Sequence, residues 1–437
     1  MRKMFVFLCV AGLIAFSASS LFAGGADNKT NWSAEYIRTL NRNAATDSAD
    51  IVMYNPAGVM KMADGLYGNL SGHYVDKYYN NRINGVDFDQ DKASIVPGLF
   101  AIYKHDRWAG IFGVSNVVGG GKVEFKDGNA TTNLIGVSLI GGANRALAGA
   151  GVPSSFFYSG ITEQNLDGEQ TGLGVNLGGA YKINDIFSLA LAARYVSTKR
   201  KLNGTVTVSA TNPFPGVNNP LTELTDVEED AKGWGGVLGV NISPTEQWNI
   251  GIRYDTKVNL DFDQDVNQDT LGILPALGYI DGGERERNLP AILALGVSYQ
   301  VTPKIRLEPN FTYYLNESAG FDDIAGTPRD ESAVDNGFDL GIACEYAFNE
   351  KVKGSLGYLY TKTGVDVENM TPELPELDAS SIGAGVVWEV NPKLALNFGL
   401  GHVFYQSESF VSAATGATIK YEKDINFLAF GIQYKFM

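Results

Sequence analysis

Leu394-Ala395-Leu396-Asn397-Phe398-Gly399-Leu400-Gly401 decides the fold. Successive side chains of an extended chain point to opposite faces, so Leu394, Leu396, Phe398 and Leu400 share one side and Ala395, Asn397, Gly399 and Gly401 the other. An unbroken apolar face backed by small and polar residues suits a strand with lipid on one side and a lumen on the other. A soluble β-sandwich, the alternative, keeps polar residues on its outer face. The next segment repeats the pattern, with Leu428, Phe430, Ile432, Tyr434 and Phe436 outward.

Working back from this stretch, the chain repeats one grammar from Leu66 onward: ten to fourteen alternating residues, then alternately a short turn and a long polar loop. Six short turns are legible: 104–107, 183–185, 243–246, 302–304, 349–351 and 391–393. Seven long connections fall near 78–93, 119–170, 199–231, 261–288, 317–334, 363–378 and 407–423. Together they define an all-β fold, a fourteen-stranded antiparallel transmembrane β-barrel, with both chain ends on the short-turn, periplasmic side. Tyr103, Trp108, Tyr181, Phe187, Trp248, Tyr299, Tyr346, Phe348 and Trp388 flank the short turns and form an interfacial girdle.

Composition agrees with strands. Among 437 residues there are 51 Gly, 23 Phe, 21 Tyr and 5 Trp, with 19% charged. A spanning helix needs roughly 20 consecutive apolar residues, whereas the one apolar run, Met4 to Phe16, is shorter and N-terminal. Arg2 and Lys3 precede it and small residues follow, which marks residues 1–23 as a signal peptide cut after Ala23, or after Ser20, since Leu21 is large for the minus-three position. Cys9 leaves with it, so Cys344 stays alone and no disulfide forms within one mature chain. Loss of Arg2 and Lys3 takes the formal charge from −15 to −17, which excludes nucleic acid as a partner.

Residues 24–62 break the strand grammar. Trp32, Tyr36, Ile37 and Leu40 form a short apolar-periodic piece, followed by 43–50 and then Ile51-Val52-Met53-Tyr54-Asn55-Pro56-Ala57-Gly58. This apolar content calls for burial, and the volume available to it is the lumen, so the segment is expected to be a hatch, with residues 63–437 forming the barrel.

Asn55-Pro56-Ala57-Gly58, preceded by Asp47-Ser48-Ala49-Asp50 and followed at once by the first strand, resembles the N-terminal hatch of the FadL-type transporters of long-chain fatty acids and aromatic hydrocarbons. Val96-Pro97-Gly98-Leu99-Phe100 in the second strand and Gly110-Ile111-Phe112-Gly113-Val114 in the third look like the family's pattern there. The chain departs from it before the motif, where Glu35 to Asn43 replaces a Gly-rich stretch, and at Met437, which leaves Phe436 as the assembly signal read by the barrel-assembly machinery. The resemblance implies that a hydrophobic ligand, fatty acid or hydrocarbon, diffuses into a plugged lumen and leaves sideways beside a kinked third strand, at Gly110 or Gly113, with Gly119, Gly120 and Gly121 close behind.

The loop from Gly119 to Gln170 is unusually apolar for a solvated connection. Leu134, Ile135, Leu139, Leu147, Phe156 and Phe157 are the candidate capture residues, with a self-packed loop core as the alternative. Alternation sends Arg194, Arg253, Arg306, Lys353 and Lys435 into the lumen with Asp255, Glu308, Asp339, Glu345 and Glu389; Arg194 and Arg253 are the candidates for a ligand carboxylate, lumen salt bridges the alternative. Asp87-Phe88-Asp89-Gln90-Asp91 recurs as Asp261-Phe262-Asp263-Gln264-Asp265 and reads as solvated loop, since Lys92 and Val266 stand where a calcium loop needs glycine and no Glu closes it.

His73, His105 and His402 make no pair with a serine nucleophile, and neither metal-ligand spacing nor a phosphate loop is evident, so no enzyme, metal or cofactor is expected. The surrounding partners are outer-membrane lipid and lipopolysaccharide, and the chain is expected to be a monomer. An open porin, or a barrel that partners protein export or surface assembly, remains as the alternative function.

Overall fold

The alternation becomes ladder. The computed structural model describes residues 33–320, 322–324, 327–328, 334–413 and 415–437, so the signal-peptide reading, Trp32 and part of the 317–334 connection lie outside the described residues. Fourteen strands form the wall: β1 Gly65–Ile83, β2 Ser94–His105, β3 Trp108–Phe125, β4 Tyr158–Lys182, β5 Phe187–Ala210, β6 Leu221–Thr245, β7 Trp248–Asp255, β8 Ala291–Thr302, β9 Ile305–Leu315, β10 Gly337–Ala347, β11 Val352–Lys362, β12 Ala379–Asn391, β13 Leu394–Tyr405 and β14 Thr418–Lys435. Each pairs antiparallel with its sequence neighbours, and β1 pairs with β14 from Tyr67↔Lys435 to Ile83↔Ile419, which closes the sheet. Closure satisfies the backbone where the bilayer offers no hydrogen bonds.

The faces follow the parity of the sequence. In β13, Phe398 and Leu400 stand out toward lipid while Asn397, Gly399 and Gly401 are buried inside. The aromatic girdle holds too: Tyr103 packs edge-on against Trp108, Tyr346 against Phe348, and Trp248 tilts over Tyr299 at a ring separation of 4.3 Å.

The wall is uneven in height. β4, β5 and β6 run 25, 24 and 25 residues, against 11 to 13 for β8 through β13. At about 3.3 Å per residue the tall strands extend far beyond an apolar band about 25 Å high. Tyr195 and Trp234, ring centroids 4.9 Å apart, mark where they leave the bilayer, since Lys199, Lys201, Lys232 and Glu228 occupy the outward positions above.

Shorter strands line the outer mouth. Val86–Gln90 folds back on β1 through an Asn84-Gly85 turn with both φ values positive, a geometry that asparagine and glycine tolerate. Asp261–Asp269 pairs with β6. These two elements contain the repeated Asp-Phe-Asp-Gln-Asp, and they correct its reading as solvated loop. The motif is amphipathic strand: Phe88, Gln90, Phe262 and Gln264 are buried and the intervening aspartates are exposed.

Residues 33–62 lie inside the barrel. They form the short helix α1 Ala34–Ile37, capped by the Ser33 side chain, and two 3-10 turns, Ala49–Met53 and Pro56–Lys61. Their backbone runs against inward-facing glycines: a Cβ at Gly357 would collide with the Thr39 carbonyl, and one at Gly251 with the Asn43 carbonyl. Much of the lumen's glycine therefore serves to admit this segment rather than to bend strands.

Candidate functional site

The Asn-Pro-Ala-Gly motif ties the inner segment to itself and to the wall. The Asn55 amide donates to the Ala45 carbonyl at 3.1 Å and to Asn241 Oδ1 at 2.8 Å. Pro56 opens the 3-10 turn against Gly239, and the Ala57 carbonyl accepts from Ser188 Oγ at 2.9 Å. Gly58 lies so close to the Asn55 side chain that a Cβ there would displace it. Charged groups add to the hold: Arg38 donates to Asn397 Oδ1 at 3.2 Å and Glu345 Oε2 at 2.5 Å, and Arg42 pairs with Asp47 and Asp50, each at 2.7 Å. Breaking a buried pair of this kind costs about 3–5 kcal/mol.

Arg194 and Arg253 sit beside this segment. Both are buried and both are given to Asp255, at 3.0 Å and 3.2 Å, while Arg253 also donates to the Met53 carbonyl and Arg194 to Asn176 Oδ1. Alternation points them inward as expected, and the lumen salt bridges given as the alternative to a ligand carboxylate are formed, with Asp255.

The long connection after β3, expected as an apolar loop, contains a helix. Helix α2, Ala130–Gly149, begins with a capping box in which the Asn129 side chain accepts from Thr132 N and Thr132 Oγ1 accepts from Asn129 N. Ile135, Leu139 and Leu147 pack against Tyr158, Val206, Val208 and Leu277 on the tall strands and the loop beyond them. Leu134 and Ile135 also line a cavity; Leu139 and Leu147 do not, and Phe156 and Phe157 are half-buried outside its lining, Phe157 packed on the helix cluster and Phe156 edge-on to Phe214. Of the six capture candidates two thus line the cavity and four pack outside its lining.

This mouth cavity measures about 1130 Å³ with its open entrance. Leu134, Leu166, Leu202, Val206, Leu274, Leu277, Met370 and Phe410 give it a mostly apolar lining. Its one lysine or arginine among the described residues is Arg200, which pairs with Glu229 at 3.1 Å; Arg285 at 2.7 Å and Gln264 at 2.8 Å also hold that carboxylate. Glu223, well above the membrane on β6, accepts from the backbone N–H groups of Thr270 and Leu271 at 3.1 and 2.7 Å. Burial, with Asp269 beside it, pushes its carboxyl up to about 8. Sequence reasoning did not single out Arg200, Glu223 or Glu373. The parity of β5 that sends Arg194 inward sends Arg200 inward too, whereas Glu373 sits in an irregular loop that carries no such signal.

The wall is broken on β3, at a different place from the one expected. Gly110 and Gly113 lie in regular ladder on both sides, Gly110 facing outward and Gly113 packed under Met53 Sδ and Val52 of the inner segment. Pairing of β2 with β3 ends at Gly98↔Ser115, beside Pro97, and pairing of β3 with β4 shifts register between Asn116 and Gly121. Gly119 and Gly121, at φ +80° and +81°, supply the left-handed backbone that the break requires. Carbonyls left without ladder partners are met by side chains: Lys77 Nζ donates to Gly120 O and Lys122 O, at 2.7 and 2.9 Å, and Asn116 to Gly119 O at 2.9 Å. A second cavity, about 560 Å³, opens at this break and is lined by Gly120, Gly121 and Gln170. A third, polar one of about 750 Å³ faces the periplasmic end between Arg38, Asp47, Lys353, Glu389 and Lys435.

A closed fourteen-strand barrel with a lipid-facing aromatic surface and an occupied lumen defines the class of outer-membrane β-barrels. The chain belongs to the family described as outer membrane protein transport protein (OMPP1/FadL/TodX), which matches residues 163–436. It is 22% identical over 297 residues to the long-chain fatty acid transport protein of Escherichia coli O6:H1, covering 60% of this chain and 66% of that one. To outer membrane protein P1 of Haemophilus influenzae it is 22% identical over 395 residues, covering 82% and 81%. In fold it is similar to a Pseudomonas aeruginosa FadL homologue, with TM-score 0.70, 15% identity and coverage of 96% and 100%. It is also similar to the Pseudomonas putida toluene transporter TodX, with TM-score 0.61, 14% identity and coverage of 89% and 94%. The protein is thus placed in the bacterial outer membrane, among transporters and channels rather than enzymes.

Proposed function

We propose that the barrel passes hydrophobic molecules inward by diffusion, taking them up in the mouth cavity and releasing them through the break in β3 into the bilayer. The observation that carries this reading is the pairing of an apolar cavity at the mouth with a second cavity at a wall whose ladder is interrupted. The packed inner segment stands across the direct route to the periplasm, and release there would re-expose apolar surface at about 25 cal/mol per Å². Exit into lipid avoids that cost.

Long-chain fatty acids and hydrocarbons both fit an apolar cavity. Its polar lining favours an uncharged cargo, because Arg200 is already paired, Glu373 would repel a carboxylate, and Glu223 would add to that repulsion once it ionises, at about pH 8. Equilibrium binding to the detergent-purified barrel tests this: saturable binding of an aromatic hydrocarbon, with a fatty acid competing better at pH 5 than at pH 8, is expected. Binding of neither ligand would overturn the reading.

A further inference from the structure

The mouth cavity and the wall-break cavity share Arg200, Leu202, Thr371 and Glu373 in their linings, so a molecule moving from one to the other passes between β5 and the loop 363–378. That loop joins β11 to β12 and folds inward over the mouth rather than out into solvent; Met370, Thr371, Glu373 and Leu377 are all buried. Met370 and Leu377 pack with Ile419 and Tyr421, and Lys423 Nζ donates to Pro375 O at 2.8 Å, while the tip of the loop is tied to the start of α2. Glu373 Oε1 accepts from Asn129 Nδ2 at 3.0 Å and from Thr131 Oγ1 at 2.6 Å. Asn81 adds a neutral bridge, accepting from Ala130 N at 3.1 Å and donating to Pro372 O at 3.0 Å. Glu373 is the charged member of this set, and a carboxylate at the N-terminal end of a 20-residue helix is favoured by the helix dipole as well.

We propose that Glu373 is the latch of an inner gate: while its carboxylate is held by Asn129 and Thr131 the passage between the two cavities is shut, and its release lets cargo move from mouth to wall break. The proposal rests on the transport reading above and assigns Glu373 a positioning role, acting through the loop it holds. Both hydrogen bonds fall on one oxygen, so Glu373→Gln can keep them through its amide oxygen while losing the charge, whereas Glu373→Ala loses both.

The test measures uptake of pyrene, a neutral aromatic probe, by cells carrying the full-length protein, beside pyrene binding to the purified barrel. Glu373→Ala is expected to raise the maximal uptake rate by about tenfold, with Glu373→Gln between it and the wild type. In a Cys344→Ser background, Thr131→Cys with Glu373→Cys is bridged by a short bis-methanethiosulfonate. Compared with the same protein before bridging, bound pyrene should persist while uptake falls by about tenfold or more, and reductant should restore it. Uptake undiminished by confirmed bridging overturns the gate and leaves the transport reading intact. Wild-type uptake no greater than that of cells lacking the protein overturns the transport reading, and the gate with it.

Discussion

At the scale of single residues, the parity of each strand says which way a side chain points and nothing about what it meets. Arg194 and Arg253 face inward as alternation requires, but Asp255, two residues from Arg253 on β7, also takes Arg194 of β5, and the Met53 carbonyl that Arg253 meets comes from the inner segment. Glu223 shows the same limit, since its burial depends on a loop some fifty residues further on. Its carboxyl is raised to about 8 mainly by burial, so the folded state binds its proton more tightly than the unfolded chain does. The stability this contributes is full only below about 4.5, the ordinary value of a glutamate carboxyl, and is lost progressively as pH rises from there through about 8. Amide exchange at Thr270 and Leu271, corrected for its intrinsic pH dependence, should therefore accelerate between about pH 5 and pH 8 and level off above it, and Glu223→Gln should flatten that rise.

Among elements, the wall strands were legible because a two-residue period carried across ten or more positions is hard to mistake. Helix α2 was not: Gly136, Gly141, Gly142 and Gly149 dilute any helical propensity in the stretch. The structure supplies the reason for one of them. A Cβ at Gly136 would collide with Ile161, so the glycine is there to let the helix lie close on β4. Gly136→Leu should lift α2 from that strand, weaken hydrophobic-probe binding in the mouth cavity by about tenfold and leave the barrel folded; titration of the purified variant checks it. The break in β3 was half legible. Glycine-rich sequence marked the right strand, but glycine serves hatch packing at Gly113 and left-handed backbone at Gly119 and Gly121, and the sequence does not distinguish the two uses.

For the molecule as a whole, strand number and closure were readable from the regular exchange of short turns and long loops. The uneven height of the wall and the inward fold of the loop 363–378 depend on packing among distant segments, so no local pattern reported them. Residues 33–62 cross the lumen and are tied to strands around it, which predicts that deletion of residues 24–62 raises single-channel conductance in a planar bilayer. An unchanged conductance would show that the segment does not block the pore.

The central claim is that cargo leaves through the break in β3, and one engineered bond tests it directly. A Cβ built on Gly121 lies 3.1 Å from Ser94 Cβ across the gap between β2 and β3, so Ser94→Cys with Gly121→Cys, in a Cys344→Ser background, can close the break with a disulfide. Uptake of a hydrophobic probe by cells carrying this variant should collapse when the pair is oxidised and recover on reduction, with mouth-cavity binding kept in both states. Equal uptake in the oxidised and reduced states, at the level of the Cys344→Ser parent, would contradict lateral exit at this site.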